Sequence, residues 1–189
     1  MKLLIIGLGV LWAGIALAGG KQESKAADEI WRYADSRMQL QGDHWFKDGD
    51  FPRVTQLLRM RYEADPENYE RMSDLGFMLK SMRMHDEELA IYVEYRVRMV
   101  AKDPDAAFPE ANFYFERKLF AKVPPVLEPT MNRGPHRNSW TLLARAYEKQ
   151  GLIKQAIATW KRLLVKLPND PVALANIERI EAQNPKKPR

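Results

Sequence analysis

The chain of 189 residues contains no cysteine. This absence excludes disulfide bonds, metal sites built from thiolates, a cysteine nucleophile and a lipid anchor attached through cysteine. Only three histidines are present, His44, His85 and His136, and no two of them have the spacing that places two metal ligands on one face of a helix. The sequence therefore predicts no bound metal.

Patterns typical of catalytic sites are also missing. The sequence has no glycine-rich phosphate-binding loop, and Ser73, Ser81 and Ser139 lack the flanking glycines of a nucleophile elbow. The acidic run at 86–88 falls where a helix is expected to begin, a position at which carboxylates favour the helix dipole. We therefore expect a protein that is not an enzyme and that uses no cofactor.

Charge of one sign is not concentrated in any segment of the body of the chain. The net charge is +5, and 46% of the residues are hydrophobic and 29% charged, values close to those of an average soluble globular protein. Basic side chains are scattered among acidic ones and form no stripe. A nucleic-acid partner is therefore not expected.

The sequence has one long hydrophobic run, residues 3–20, which a single lysine, Lys2, precedes. This layout is typical of a secretory signal, with Ala-Leu-Ala at 16–18 as a cleavage site. The alternative is an uncleaved anchor, because eighteen helical residues extend about 27 Å and Lys2 would remain in the cytoplasm. A buried core helix is disfavoured, since no polar stripe interrupts the run.

Both favoured interpretations place the body of the chain outside the cytoplasm. The expected location is periplasmic or secreted, or anchored in the cytoplasmic membrane through residues 1–20 with the remaining domain outside, as in a bacterial envelope protein. Small residues at 7, 9, 13 and 14 would let such an anchor pack closely on a partner helix.

Beyond this run the pattern is helical. Residues 26–182 contain successive segments with apolar side chains three and four residues apart, and no alternating strand pattern. Proline fits the first turn of a helix and disrupts its interior, so proline-containing pairs mark the boundaries. These pairs are Asp65-Pro66, Asp103-Pro104, Pro124-Pro125, Gly134-Pro135 and Asp170-Pro171. We predict an all-α chain of short antiparallel helix hairpins.

The segment 137–170 carries a complete repeat pattern. Bulky, small, glycine and proline residues recur at fixed positions of a 34-residue unit. They are Trp140, Leu143, Ala144, Tyr147, Gly151, Ala156, Trp160, Leu163 and Pro168. The segment resembles the tetratricopeptide repeat at all of these positions. The resemblance implies a short right-handed α-solenoid in which neighbouring hairpins stack side by side.

The same frame divides the rest of the chain into about three or four repeat-like units. We predict a first unit at 35–68 and a second at 69–106, the second with a longer loop between its helices and Ala90 as its small residue. The segment 107–136 is expected to be a degenerate third unit, or alternatively an irregular helical insert. The full repeat at 137–170 is the fourth.

Flanking elements are expected at both ends of this array. A helix at 21–34 would run into the first unit. A helix at 171–183 would cover the last hairpin with a stripe of apolar residues, and 184–189 would be a disordered basic tail. The stripe consists of Val172, Leu174, Ile177 and Ile180.

In this family the first helices of successive units line a concave groove. The resemblance implies eight groove residues here: Phe46, Lys47, Phe77, Lys80, Phe115, Lys118, Arg145 and Lys149. Phenylalanines surrounded by cations suit a peptide segment that carries apolar and acidic side chains. Alternatively, these phenylalanines are core residues and the frame is displaced by one residue. Asp43 and Phe77 depart from the asparagine-containing subclass that binds chaperone tails, so that partner is not expected.

Methionine is abundant, with nine residues in the chain. Six of them fall in the first two units: Met60, Met72, Met78, Met82, Met84 and Met99. Methionine fills irregular cores and also forms adaptable binding surfaces, and the sequence favours the core.

The resemblance implies a non-enzymatic scaffold that holds a protein or peptide partner, or copies of itself, in the concave groove. The alternative is a membrane-tethered structural or assembly subunit of an envelope complex, which would act through a transmembrane segment and its convex face. The sequence identifies neither the partner nor the process.

Overall fold

The computed structural model describes residues 20–184, with side chains from residue 25 onward. The apolar run at 1–19 and the basic residues at 185–189 lie outside this range. Within it the chain contains helices and no strand, which confirms the predicted all-α class. The helices are α1 (Gly20–Lys47), α2 (Phe51–Ala64), α3 (Tyr69–Ser81), α4 (His85–Met99), α5 (Phe108–Glu116), α6 (Val123–Leu127), α7 (Arg137–Lys149), α8 (Ile153–Lys166) and α9 (Pro171–Gln183).

Three short 3₁₀ turns supplement the helices around α5 and α6. They are Pro104–Ala107, Phe120–Lys122 and Glu128–Arg133. Each helix packs mainly on the helix before it and the helix after it, from α1 to α9. The described chain is therefore a linear stack of antiparallel hairpins, the arrangement predicted from the repeat pattern.

Polar caps begin several of these helices. The Asp50 and Asn68 side chains accept hydrogen bonds from the backbone N–H groups of Arg53 and Arg71 at the starts of α2 and α3. Asp170 accepts one from the Ala173 N–H at 2.8 Å, with Pro171 as the first helical residue of α9. Each bond satisfies an N–H that has no partner inside the helix, and so stabilises the helix start.

Two apolar cores lie along the stack. The smaller one joins α2, α3 and α4 around Tyr62, Leu75 and Tyr95. The larger one runs from α5 to α9 and includes Trp140 and the fully buried Trp160. Most of the bulky and small residues of the 137–170 pattern are buried here, because the two helices of that hairpin meet across them.

A left-handed residue ends the first helix of each hairpin. Gly49, Arg83, Lys118 and Gly151 have φ angles of 76°, 62°, 61° and 74°. In each case the left-handed residue donates its backbone N–H to the carbonyl three residues earlier, at 2.9–3.1 Å. Such a residue reverses the chain after a helix. Four equivalent turns about one repeat length apart show that the third segment is also a hairpin.

The second unit departs from the sequence prediction. The turn between α3 and α4, residues 82–84, has the same length as the turn at 150–152, so the predicted longer loop is wrong and the additional residues follow α4. Glu88 occupies the buried position that Ala156 fills in the last hairpin, whereas Ala90 is exposed. The second unit was aligned incorrectly with the repeat pattern because a buried glutamate occupies a position that is usually alanine.

The third unit is displaced by three residues from its predicted frame. Ala111 is fully buried at the position that Ala144 has in the last unit, whereas a unit that begins at 107 would have Tyr114 there. Lys118 is the turn residue, equivalent to Gly151, and is not part of a helix face. The frame was misplaced because a lysine replaces the glycine that marks this turn in the first and last units.

The final helix covers the last hairpin with a different stripe from the predicted one. Ala173 and Ile180 are buried and Ile177 packs against the larger core. Val172 and Leu174 are exposed by 40% and 48%. Ala173, Ile177 and Ile180 are four and three residues apart, so they lie on one face of the helix. Val172 and Leu174 do not lie on this face.

Candidate partner-binding groove

Pockets lie beside the first helices at both ends of the array, so the surface along α1, α3, α5 and α7 is the candidate groove. The pocket between α1 and α3, with α2 as its floor, has a volume of about 300 Å³. We name it the N-terminal pocket. Its lining includes Met38, Asp43, Phe46, Arg61, Asp74 and Phe77.

Phe46 and Phe77 are exposed by 48% and 60%. They are therefore not core residues, although large apolar side chains are normally buried. Phe46 is held by Phe51, whose ring centre lies 5.5 Å away in an edge-to-face arrangement. Phe115 differs, because it is half-buried between Phe120 and the guanidinium of Arg145, at 5.2 and 5.3 Å. The alternative that these phenylalanines are core residues therefore holds in part for Phe115, and not for Phe46 or Phe77.

Carboxylates accompany the two exposed phenylalanines. Asp43 and Asp74 line the N-terminal pocket, and neither makes an ion pair within residues 25–184. Burial of its pocket side raises the pKa of Asp74. Arg61 points its charge to Asp35 at 2.8 Å, a hydrogen bond that lowers the pKa of Asp35. This end of the groove is therefore acidic and apolar, and the predicted ring of cations does not surround it.

The predicted lysines have separate environments. Lys80 lies at the centre of the groove and forms an ion pair of 2.6 Å with Glu116 of α5. Lys47 is the exposed last residue of α1, and Lys118 is the turn residue after α5. Lys149 lines a second pocket with Arg145 at the other end of the groove.

This second pocket, which we name the C-terminal pocket, has a volume of about 350 Å³ between α7, α8 and α9. Three of its residues are cations, of which Arg179 forms hydrogen bonds of 2.7 and 2.8 Å with Glu148. The C-terminal pocket is lined by Thr141, Arg145, Glu148, Lys149, Trp160, Val172, Asn176 and Arg179. The groove therefore has an acidic end and a basic end.

A buried ion cluster lies beneath the centre of the groove. The Glu88 side chain is 2% exposed and accepts a hydrogen bond of 2.6 Å from Arg117. His85 Nδ1 lies 2.6 Å from the same guanidinium, which also covers the ring of Phe113 at 3.5 Å. The sequence predicts that the acidic run at 86–88 favours the helix dipole. It gives no sign of the ion cluster, because Arg117 is 29 residues away from Glu88 in sequence.

The methionines are divided between two environments. Met72 and Met78 are buried, as the core interpretation predicts. Met60 is 48% exposed. Together with Met82 it lines a shallow apolar pocket between α2 and the α3–α4 turn, with a volume of about 540 Å³. We name this region the methionine surface; its lining includes Trp45, Pro52, Leu57, Met60, Met82 and Met84.

The three histidines lie in three separate places. His44 faces Asp48 at 3.5 Å, His85 belongs to the buried ion cluster, and His136 precedes α7 and accepts from its Asn138 N–H. Within the described part of the chain, no group of three histidine or carboxylate residues is placed to hold a metal. Over the same range, no helix combines the length and apolar composition needed to cross a bilayer.

Comparison with known proteins supports the repeat interpretation. Residues 137–184 match the family model described as tetratricopeptide repeat. No curated protein sequence matches the chain. Solved structures with the same fold include MamA of Desulfovibrio magneticus RS-1, which is 12% identical, with a TM-score of 0.57 over 78% of this chain and 84% of that one.

Two further MamA structures give the same result. One is 16% identical, with a TM-score of 0.58 over 78% of this chain and 80% of that chain. MamA AMB-1 is 20% identical, with a TM-score of 0.55 over 79% and 83% of the two chains. At these identities the likeness concerns the fold alone. Residues 137–184 carry the sequence pattern of the tetratricopeptide repeat, and the described chain shares the helical-hairpin fold of the MamA structures.

Proposed function

We propose that this protein is a non-enzymatic scaffold of the cell envelope that binds a segment of a partner protein along the groove between its first helices. The observation that carries the proposal is the exposure of Phe46 and Phe77 in one pocket. Large aromatic side chains that line a pocket are the usual anchors of protein interfaces. Their carboxylate neighbours, Asp43 and Asp74, add selectivity for a basic group on the partner.

The location of this activity is inferred from the sequence of the first twenty residues. A lysine, an apolar run and an Ala-Leu-Ala site support export or anchoring, with the repeat array outside the cytoplasm. Fractionation of cells together with the mass of the mature protein tests this part. A mature protein that lacks residues 1–18 indicates cleavage, and a full-length membrane-bound protein indicates an anchor.

Site-specific photo-crosslinking tests the groove. The full chain would carry p-benzoyl-phenylalanine at position 77, or at position 165 as a matched control, since Val165 is 80% exposed on α8. We expect a discrete crosslinked species from position 77 only. A second substitution, Phe46→Ala, should lower its yield several-fold while the circular dichroism spectrum remains unchanged. Equal crosslinking from both positions, or a yield unaffected by Phe46→Ala, would contradict groove binding.

A second candidate function is an assembly subunit that uses the outside of the array. The methionine surface favours it, because methionine side chains adapt to different partners and Met60 and Met82 are open to solvent. A crosslinker at Met82 separates the two candidates. Crosslinking from position 82 without crosslinking from position 77 would favour this second function.

A further inference from the structure

The C-terminal pocket is lined by two residues with a buried polar atom that has no hydrogen-bond partner among residues 25–184. Trp160 is fully buried, and its Nε1 has no acceptor; the Oγ1 of Thr141 is also buried and unpaired. Both residues line the C-terminal pocket. Buried polar groups are nearly always paired, so the two unpaired atoms distinguish the wall of this pocket. Because an indole N–H can only donate, it favours a hydrogen-bond acceptor close to it.

The charged residues of the same pocket indicate the charge of the group that it would bind. Arg179 is paired with Glu148, and this hydrogen bond is the main reason why the pKa of Glu148 is lowered. Arg145 and Lys149 make no ion pair within residues 25–184, and Arg145 only rests on the ring of Phe115. They are one turn apart on α7, so both charges fall on the same face. The pocket therefore has an excess of positive charge beside its unpaired donors.

We propose that the C-terminal pocket binds an acidic side chain, aspartate or glutamate, from the partner segment that lies in the groove. This inference rests on the proposed function and adds the chemistry of the partner. A carboxylate would neutralise Arg145 or Lys149 and lie close to the buried Trp160 indole. Two free cations favour an acidic stretch with more than one carboxylate over the single carboxylate of a chain terminus.

The opposite charge at the other end of the groove gives the partner a direction. Asp43 and Asp74 in the N-terminal pocket favour a basic or uncharged apolar part of the segment. A segment with its apolar part on Phe46 and Phe77 and its acidic part at α7 satisfies both ends, and the reversed orientation places like charges together.

The indole resonance of Trp160 gives a direct test. The probe is the capped peptide acetyl-Ser-Glu-Leu-Glu-Ser-amide, and its control has glutamine in place of both glutamates. In ¹H–¹⁵N spectra of the full chain, Trp160→Phe identifies the Trp160 indole signal among those of the five tryptophans. We expect the glutamate peptide to shift this signal in a saturable manner and the glutamine peptide to leave it unchanged.

Charge variants then assign the effect to the pocket. Arg145→Gln combined with Lys149→Gln should weaken peptide binding at least tenfold. Lys154→Gln is the control, because Lys154 is exposed on α8 and does not line the pocket. Added salt should weaken binding of the unsubstituted protein, since the contact is between charges.

Three results would overturn the proposal. An indole signal that does not respond to the glutamate peptide would exclude the carboxylate contact. An equal loss with Lys154→Gln would show non-specific attraction to a basic surface. A glutamine peptide with a free terminal carboxylate that shifts the signal equally would assign the pocket to chain termini. Crosslinking at Phe77 is independent of all three, so the scaffold function can stand when this inference fails.

Discussion

Arg83 and Gly151 share the same left-handed backbone conformation at the same position of two hairpins, with φ of 62° and 74°. Each donates its N–H to the carbonyl three residues earlier, Lys80 and Glu148 respectively. A side chain is disfavoured in this conformation, whereas glycine adopts it freely. The fold has therefore retained the turn where the sequence no longer marks it.

Replacing the side chain at this turn should stabilise the protein. Arg83 makes no ion pair within the described residues, so Arg83→Gly removes strain without removing an ion pair. We expect the free energy of unfolding to rise by roughly 0.5–1 kcal/mol in urea denaturation. Ala158→Gly, at an exposed position in the middle of α8, is the control and should cost about 1 kcal/mol. Destabilisation by Arg83→Gly would show that the arginine makes a contact of its own.

The buried carboxylate of Glu88 gives the second prediction. Glu88→Ala restores the alanine that the repeat usually has, but it leaves the largely buried Arg117 without its partner. We expect a loss of about 3–5 kcal/mol in unfolding free energy. Adding Arg117→Met should recover most of the loss, because the charge is then gone as well.

Glu87 provides the control for this pair. It forms an ion pair of 2.5 Å with Arg59, and its side chain is 45% exposed. Glu87→Ala should therefore change the unfolding free energy by less than about 1 kcal/mol. If the double variant at Glu88 and Arg117 is no more stable than the single one, the buried pair contributes more than charge compensation.

Removal of the Trp160 side chain should act locally. Trp160→Ala leaves a cavity in the larger core and should cost about 3–5 kcal/mol. Since each hairpin contacts mainly its neighbours, hydrogen exchange should accelerate in α7, α8 and α9 before it does in α2, α3 and α4. Simultaneous loss of protection in all helices would indicate that the two cores unfold as one unit.

Acid should weaken the junction between the last hairpin and α9. The Asp170 side chain is 7% exposed and accepts from Arg137 Nε at 2.5 Å, and this bond lowers its pKa below the usual 3.8. A lowered folded-state pKa stabilises the protein fully above pH 3.8, and the stabilisation is lost as the pH falls toward the folded-state pKa. We expect Asp170→Asn to reduce the dependence of stability on pH in this acidic range. An unchanged pH dependence would contradict the assignment.

The fold was predictable where the residues of a hairpin themselves match the repeat pattern. In the last hairpin, Ala144, Gly151 and Ala156 carry the crossing and turn positions themselves. The second and third hairpins depend on long-range compensation. Arg117 makes Glu88 tolerable at a buried position, and two charged residues occupy left-handed turns, so neither hairpin could be aligned from composition alone.

The candidate site was predictable only in part. The resemblance to the repeat family assigned Phe46 and Phe77 to the groove, and both are exposed and line one pocket. The distribution of charge was missed, because ion pairs such as Lys80–Glu116 and Arg61–Asp35 join residues far apart in sequence and neutralise cations that the sequence counts as free. The unpaired Trp160 N–H has no sequence signal at all.

The joint between the two cores has its own consequence. Charged contacts connect the second and third hairpins there, among them Arg96 with Glu110, Arg117 with Glu88, and Lys80 with Glu116. Rotation about this joint would alter the separation between the acidic and basic ends of the groove. The separation of the two ends therefore depends on these ionic links as well as on the edge-to-face contact of Tyr92 with Phe113. Added salt should weaken the exposed Lys80–Glu116 pair more than the buried Arg117–Glu88 pair.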